Sequence, residues 1–193
     1  MEKYDILESD CFYHIYNRGN NKEDLFLELE NYFHFLKLIK THLAEIADIY
    51  AYCLLKNHFH LVLKIKSTTE LPEKYHHENR LSQPFSNLFN AYTKAINKRY
   101  EREGSLFRVR FKRERITDVN YLRNVIVYVH LNPVKHSFTK DYNTYLHSSF
   151  QSLISSKETL LKREEVFELF GDSKNFVSLH QDAFLKGEYE DLD

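Results

Sequence analysis

Apolar and polar residues alternate in some segments of the chain and recur with a helical period in others. Alternation predicts a strand, and recurrence every three to four positions predicts a helix. In chain order the pattern predicts a strand over 11–17, a helix over 31–46, strands over 49–55 and 58–66, a helix over 81–103, a strand over 106–116 and a helix from 117 to about 132. Lys56-Asn57 fits a two-residue hairpin turn, although one bent strand fits the same residues. Thr117-Asp118 is a good N-cap signal. Gly104 is expected to end the second helix, and Pro133 to limit the third.

This order of elements predicts the fold class. The succession β-α-β-β-α-β-α is typical of an α+β protein of the ferredoxin-like split βαβ type. We expect a four-stranded antiparallel sheet backed by helices, with one face left open as a platform for nucleic acid. Further helical segments are expected over 162–170 and 175–185. We therefore divide the chain into a domain over residues 1–150 and an acidic, helical C-terminal extension over residues 151–193.

The strand over 58–66 carries two histidines, His58 and His60, separated by one bulky apolar residue. Side chains at i and i+2 leave a strand on the same face, about 6 to 7 Å apart along the chain, which is close enough to chelate one metal ion. The odd positions, such as Phe59, are apolar and would face the core. A strand with two incidental histidines fits the same pattern, so a metal site requires support from a second element. The adjacent His76-His77 pair lies in a polar connection, where we expect a solvated loop.

The amino-acid composition favours a soluble globular protein. A hydrophobic content of 42% and a charged content of 28% are ordinary for a soluble globular chain. The two cysteines, Cys11 and Cys53, have no metal-type spacing and indicate buried thiols in a reducing compartment, which we take to be the cytoplasm.

The net charge of -1 hides an asymmetry. Residues 94–115 include nine basic and three acidic residues, and residues 157–193 include five basic and ten acidic ones. Basic residues interleaved with Tyr and Phe indicate a surface for a polyanion. A solvated helix face followed by an exposed strand explains the charge equally well. In the predicted strand, Arg108, Arg110 and Lys112 would form one cationic face.

The third predicted helix supplies the second element. Asn124, Tyr128 and Asn132 recur every four residues and so form one polar strip on an otherwise apolar helix. A buried helix that keeps a hydroxyl between two amides requires an explanation. Taken alone, the strip is better explained by packing, because most tyrosines are packing residues with a hydrogen-bonded tip and this chain has 14 of them.

Four motifs occur together in one order and spacing. They are Tyr-His-Ile-Tyr-Asn-Arg-Gly-Asn at 13–20, Ala-Tyr at 51–52 followed by Asn-His-Phe-His-Leu at 57–61, Gly-Ser-Leu-Phe at 104–107 with Arg-Phe-Lys at 110–112, and Tyr-Val-His-Leu-Asn-Pro-Val-Lys at 128–135. Taken together the chain resembles the single-tyrosine HUH transposases, and most of all the branch of REP-associated tyrosine transposases, from about residue 12 to residue 150. It departs from that pattern at Phe107, where the family often has Trp, and at His136-Ser137, where a small, often Gly-containing continuation is usual.

The resemblance implies a role for individual residues. His58 and His60 would be metal ligands, Tyr128 the nucleophile, and Asn132 the side chain that completes the metal shell. Mg²⁺ or Mn²⁺ is expected with such ligands and a phosphate substrate. The expected substrate is single-stranded DNA that bears a hairpin-forming palindrome. The protein itself is expected to be of a prokaryotic type and associated with the nucleoid. It is expected to be a monomer or a homodimer. The DNA-binding residues implied by these segments are Arg18, Arg108, Arg110, Lys112, Arg113 and Lys135.

Two other functions remain open at this point. A non-catalytic binder of single-stranded nucleic acid on the same fold would keep the basic and aromatic residues without requiring Tyr128 to meet the histidines. A metal-dependent phosphodiesterase would use water as the nucleophile and form no protein adduct. Tyr92 and Tyr100, on the second predicted helix beside the basic run, are rival nucleophiles, with core packing as the alternative explanation for both.

Overall fold

A four-stranded sheet forms the centre of the computed structural model, which describes residues 5–77 and 80–187. Its strands are β1 (Phe12–Arg18), β2 (Ala47–Leu55), β3 (His58–Ile65) and β4 (Lys112–Ile116). The spatial order is β2-β3-β1-β4, and every neighbouring pair is antiparallel. Strand β3 is thus inserted between β1 and β2, which is the split βαβ arrangement. The predicted α+β class and ferredoxin-like topology are confirmed.

Helices cover both faces of this sheet. Helices α1 (Leu29–Leu43) and α2 (Gln83–Arg99) pack together on one face. There the ring of Phe59 from β3 lies 5.1 Å from that of Phe35 and 5.6 Å from that of Phe89, measured between centroids. The odd positions of β3 therefore face the main core, as the alternation predicts.

Helix α3 (Val119–Lys135) packs on the opposite face, against β2 and β3. The prediction that this face of the sheet is open is therefore wrong. The physical reason is the apolar content of α3, because Leu122, Val125, Ile126 and Val129 all need burial and the sheet is the surface that provides it.

Helix α3 begins where the sequence predicts and ends later. The Asp118 carboxylate accepts a hydrogen bond of 2.9 Å from the backbone N–H of Tyr121, which confirms the N-cap. The helix then continues through Pro133 to Lys135, so the predicted end at about residue 132 is wrong. A proline in the last turn removes only its own N–H from the ladder, and the N–H of His136 still bonds to the carbonyl of Asn132 at 3.0 Å.

The predicted strand over 106–116 is shorter than expected, because β4 begins only at Lys112. Arg110 has a φ of 67°, a left-handed conformation that does not occur within a regular strand. Phe107 forms only an isolated antiparallel bridge with Gly19, and its ring is buried against α1 and α2. Arg108 and Arg110 therefore do not share a strand face with Lys112, and the predicted single cationic face is wrong.

After α3, the described part of the chain continues with α4 (Phe150–Ile154), α5 (Arg163–Phe170) and α6 (Ser173–Lys186). The sequence predicts the last two and misses the first. The rings of Phe150 and Phe176 stack at 5.5 Å, and the Arg123 guanidinium of α3 donates to the carbonyl of Leu169. The C-terminal segment thus shares one apolar core with α3; the boundary at residue 150 stays a prediction. None of the helices in the described part of the chain has the length and apolarity needed to cross a membrane.

Candidate active site

The two histidines of β3 lie beneath α3. Their ring centroids are 5.3 Å apart, and both side chains are largely buried. Nδ1 of His58 is 2.7 Å from the side-chain oxygen of Asn57, which can only accept. His58 therefore carries its proton on Nδ1, so the lone pair of Nε2 is directed elsewhere. An oxygen that orients the second nitrogen in this way is the usual companion of a metal-binding histidine.

His60 has a different companion, His14 of β1. Nδ1 of His60 is 2.9 Å from Nε2 of His14, and the His14 side chain is fully buried. When His60 donates in this pair, its own Nε2 holds the lone pair that a metal requires. Sequence reasoning did not select His14 as a site residue. The signal was present, because His14 shares the strand face of Tyr16, which pairs with His60 across the sheet.

Tyr128 stands over these rings from α3. Its ring centroid is 5.8 Å from that of His60 and 6.0 Å from that of His14, edge-on to both. Only 5% of the residue is exposed. The ammonium of Lys135 lies 3.4 Å from the phenolic oxygen and 4.8 Å from the ring centroid. The structure thus places a cation, predicted only to contact DNA, beside the candidate nucleophile.

One turn further along α3, Asn132 lies between two contacts with β3. Tyr128 meets His60, and His136, one turn beyond Asn132, has its ring centroid 4.8 Å from that of His58. Asn132 is completely buried, and neither its side-chain oxygen nor its nitrogen has a hydrogen-bond partner. Leaving such a group unpaired costs about 1–3 kcal/mol. By contrast Asn124, the first member of the predicted strip, is exposed.

The residues fit a hard divalent cation. An amide oxygen is a good ligand for Mg²⁺ or Mn²⁺, and imidazole is acceptable to the latter. Within residues 5–77 and 80–187, no group of three or more His, Cys, Asp or Glu side chains is arranged to hold a metal. An ion bound here would thus depend on His58, His60 and the Asn132 amide, with water and substrate oxygens as its other ligands.

The loop after α3 adds an exposed aromatic ring. Phe138 is 39% exposed, and its centroid is 6.5 Å from that of His58. His136-Ser137 stands out in the sequence as an unusual continuation of the helix. The sequence did not predict that His136 and Phe138 would both lie beside His58, a candidate metal ligand.

The predicted DNA-binding residues divide between two surfaces. Arg18 pairs with His58 and Lys112 with Tyr16 across the sheet, so both lie on the strand face of the histidines, as does Lys135 of α3. Arg108, Arg110 and Arg113 instead line a cleft that faces α2.

The rival nucleophiles lie on the far side of the sheet. The Tyr92 hydroxyl donates to the carbonyl of Leu25 at 2.7 Å, and burial raises the pKa of this phenol. The Tyr100 hydroxyl donates to the side-chain oxygen of Asn31 at 3.1 Å. His76 and His77 lie in an exposed loop, where the ring of His76 contacts the carbonyl of Leu71.

The site therefore consists of a His-x-His strand in a ferredoxin-like sheet, beneath a helix that carries a tyrosine. The fold is similar to that of a solved REP-associated tyrosine transposase bound to a REP hairpin, with a TM-score of 0.61 and 19% sequence identity. The match covers 81% of this chain and 87% of that one. At this identity the likeness shows the fold, which this chain therefore shares with that transposase. No protein-family model matches the sequence, and no curated protein matches it.

Proposed function

We propose that this protein is a metal-dependent, single-stranded DNA endonuclease and strand transferase, a transposase-like enzyme that acts on hairpin-bearing DNA. The observation that carries this proposal is the buried, unpartnered amide of Asn132 on the helix strip between Tyr128 and His136. A packing residue at that position would be apolar, whereas a ligand position explains an amide that the protein itself does not satisfy.

The donor set suits Mg²⁺ or Mn²⁺ held by His58, His60 and Asn132. Such an ion supplies Lewis-acid polarisation of the scissile phosphate and stabilisation of the leaving oxygen. The hydrogen bonds of Asn57 and His14 orient the two imidazoles for that role.

Tyr128 is the proposed nucleophile. Its phenolic oxygen attacks phosphorus, a Tyr128–phosphorus bond forms, and the bond from phosphorus to the 3′-oxygen breaks. The phenolic proton is lost and the departing strand takes up a proton as a free 3′-OH. Lys135, 3.4 Å from the phenolic oxygen, stabilises the negative charge that develops there. The product is a 5′-phosphotyrosine, and an incoming 3′-OH reverses the exchange without an external energy source.

The substrate follows from the cations and the structural neighbour. Arg18 and Lys112 border the histidine face, and a basic surface with aromatic rings suits an unpaired strand. The similar structure was solved with a REP hairpin. We therefore propose single-stranded DNA that carries a hairpin as the substrate of this chain.

The test is formation of a covalent adduct. Fluorescently labelled hairpin oligonucleotides are incubated with the protein and Mn²⁺, denatured and separated on a gel. We expect labelled protein with the wild type and none with Tyr128→Phe or His58→Ala. Cleavage without an adduct would indicate a water nucleophile, and an adduct with Tyr128→Phe would refute the assignment of the nucleophile.

A second candidate is a non-catalytic binder of single-stranded nucleic acid. The low exposure of Tyr128 favours it, because a buried phenol has to become accessible before it can reach a phosphate. Tight binding with neither cleavage nor adduct, in the same assay, would support this reading.

A further inference from the structure

The tyrosine-bearing helix α3 carries a buried histidine on the side that faces away from the candidate ligands. His130 lies two positions after Tyr128 and two before Asn132. Two positions on a helix correspond to a rotation of about 200°, so His130 occupies the opposite side of α3 from both. The residue is fully buried, and so is its partner His180 of α6. An apolar side chain would fill this position without the cost of burying a polar group, so the imidazole requires an explanation.

His130 is bonded to the C-terminal helix α6. Nδ1 of His180 donates to the carbonyl of Phe176 at 2.7 Å, which leaves the lone pair on Nε2 of His180. That nitrogen accepts from Nδ1 of His130 at 2.8 Å. The His130 ring is also edge-on to the rings of Phe150 and Phe176, with centroids 5.7 and 5.9 Å away. The imidazole is therefore held by a directional bond and by two aromatic contacts.

On its other nitrogen, His130 is bonded through one residue to the sheet. Nε2 of His130 accepts from the hydroxyl of Ser149 at 2.7 Å. Ser149 in turn forms two bonds with the backbone of Tyr52 in β2, accepting from its N–H at 2.8 Å and donating to its carbonyl at 2.9 Å. Tyr52 pairs with Leu61 of β3, which is the neighbour of His60. The bonds thus connect α3 to the pair of strands that carries the candidate ligands.

This connection adds what apolar packing does not supply. The residues of α3 that pack against the sheet are Leu122, Val125, Ile126 and Val129. Hydrophobic contacts are non-directional, so they bury the helix without fixing its rotation or its height over the strands. Hydrogen bonds have narrow ranges of distance and angle, and a fully satisfied buried network specifies one arrangement of a core. The bonds of His130 therefore suit the task of fixing α3 on the sheet.

The candidate active site depends on the placement of α3. Two of its members, Tyr128 and Asn132, belong to α3, whereas His58 and His60 belong to β3. Only contacts across this boundary bring them together, such as the 5.8 Å between the ring centroids of Tyr128 and His60. A displacement of about 1 Å between reacting groups can lower a rate about 100-fold. Residues that fix α3 thus affect the site without touching it.

We propose that His130 is a positioning residue for the candidate active site. Together with Ser149 and His180 it fixes α3 on the sheet, so that Tyr128 and Asn132 face the histidines of β3. Through His180 the C-terminal extension takes part in this placement. The inference rests on the proposed function for the chemistry at Tyr128, whereas the placement of α3 is measurable without that chemistry.

The first test measures the placement in the metal-free protein. In a sample labelled selectively at His and Tyr, nuclear Overhauser effects should connect the ring protons of Tyr128 and His60, with Tyr128→Phe used for assignment. His130→Leu removes both hydrogen bonds and should lose most of this signal. His130→Gln keeps one donor and one acceptor and should recover part of it. The matched control is Val166→Ala, which opens a cavity in the same C-terminal core but removes no side-chain hydrogen bond, and it should keep the signal.

Urea denaturation of each variant shows whether the control has lost as much stability as His130→Leu. An unchanged nuclear Overhauser effect in His130→Leu would overturn the proposal. An equal loss of signal in an equally destabilised Val166→Ala would also overturn it, because destabilisation alone would then explain the effect.

The second test follows the consequence for the site. We expect His130→Leu to weaken Mn²⁺ binding in calorimetry about tenfold and to slow single-turnover adduct formation about 100-fold. The Kd for the hairpin oligonucleotide of the adduct assay should change by less than about twofold, because His130 is buried. Ser149→Ala should act in the same direction. The double variant should lose less than about twofold more than His130→Leu alone, because both changes break the same connection.

The outcomes separate this inference from the proposed function. If the wild type forms no adduct while the nuclear Overhauser effect depends on His130, the proposed function fails and the positioning role stands. If the wild type forms the adduct and His130→Leu forms it equally fast, the positioning role fails and the proposed function stands. Losses of Mn²⁺ affinity that add fully in the double variant would also contradict a single connection through His130 and Ser149.

Discussion

A buried chain of two histidines ties α6 to the tyrosine-bearing helix. Nδ1 of His180 donates to the carbonyl of Phe176 at 2.7 Å, so its Nε2 accepts from Nδ1 of His130 at 2.8 Å. Nε2 of His130 then accepts from the hydroxyl of Ser149 at 2.7 Å, and that oxygen accepts from the N–H of Tyr52. Every donor finds an acceptor only if both imidazoles are neutral.

Burial lowers the pKa of His180 from 6.5 to about 4, and it lowers that of His130 well below 6.5. The unfolded chain therefore binds protons in the range from pH 6.5 to 4 that the folded chain does not. The stability that depends on the neutral imidazoles is fully present above pH 6.5, and it is lost as the pH falls through this range. For His180 alone the loss is about 2 kcal/mol at pH 5 and about 3 kcal/mol below pH 4.

The perturbation that isolates this effect is His180→Gln. The side-chain oxygen of Gln can still accept from His130, but the residue no longer titrates. At pH 7.5 we expect a loss of about 1–2 kcal/mol from imperfect geometry. Between pH 7.5 and 5 the variant should lose about 2 kcal/mol less than the wild type.

The assay is urea denaturation followed by far-UV circular dichroism at several pH values. His77→Gln, in an exposed loop, is the matched control and should leave the pH dependence unchanged. Equal pH dependence in His180→Gln and the wild type would refute the inference that His180 is neutral and buried in the folded protein.

Three further predictions concern the candidate site. Asn132→Leu should raise the stability of the metal-free protein to urea by about 1 kcal/mol, because it removes a buried unpaired amide, and should abolish Mn²⁺ binding in calorimetry; a destabilised variant that still binds Mn²⁺ would contradict this. His14→Phe should weaken Mn²⁺ binding about 10- to 100-fold through loss of the bond to His60, with partial recovery in His14→Gln; unchanged affinity would show that the pair does not orient the ligand. Phe138→Ala should weaken anisotropy-monitored binding of an unpaired oligonucleotide by about tenfold, and an unchanged Kd would exclude base stacking on that ring.

The sequence was most informative where a local pattern of residues had a single structural explanation. The alternation of β3 places Phe59 toward the core and His58 toward α3, and Lys56-Asn57 forms the turn between two paired strands. The Asp118 cap marks the start of α3 because an N-cap is a local interaction between residues three apart.

Prediction from the sequence failed where tertiary packing determines the local structure. Phe107 alternates with charged neighbours as a strand residue would, yet its ring is drawn into the aromatic core of α1 and α2, so β4 begins later. The apolar surface of α3 gave no indication of which sheet face it would cover, and the open face was wrongly expected for that reason.

The candidate site was predictable in part. His58, His60, Tyr128 and Asn132 came from motifs, but their convergence depends on contacts between residues about 70 positions apart in sequence. His14 and Phe138 were missed because their proximity to the histidines exists only once the strands pair and the chain turns after α3.

The most direct test of the central claim is to locate the covalent DNA on the protein. After reaction with a cleavable hairpin and Mn²⁺, nuclease and trypsin digestion followed by mass spectrometry should find a nucleotide on the peptide Asn124–Lys135, whose single tyrosine is Tyr128. We expect that modification at Tyr128 in the wild type and its absence in Tyr128→Phe. A nucleotide on a peptide carrying Tyr92 or Tyr100, or cleaved DNA with no modified peptide, would contradict it.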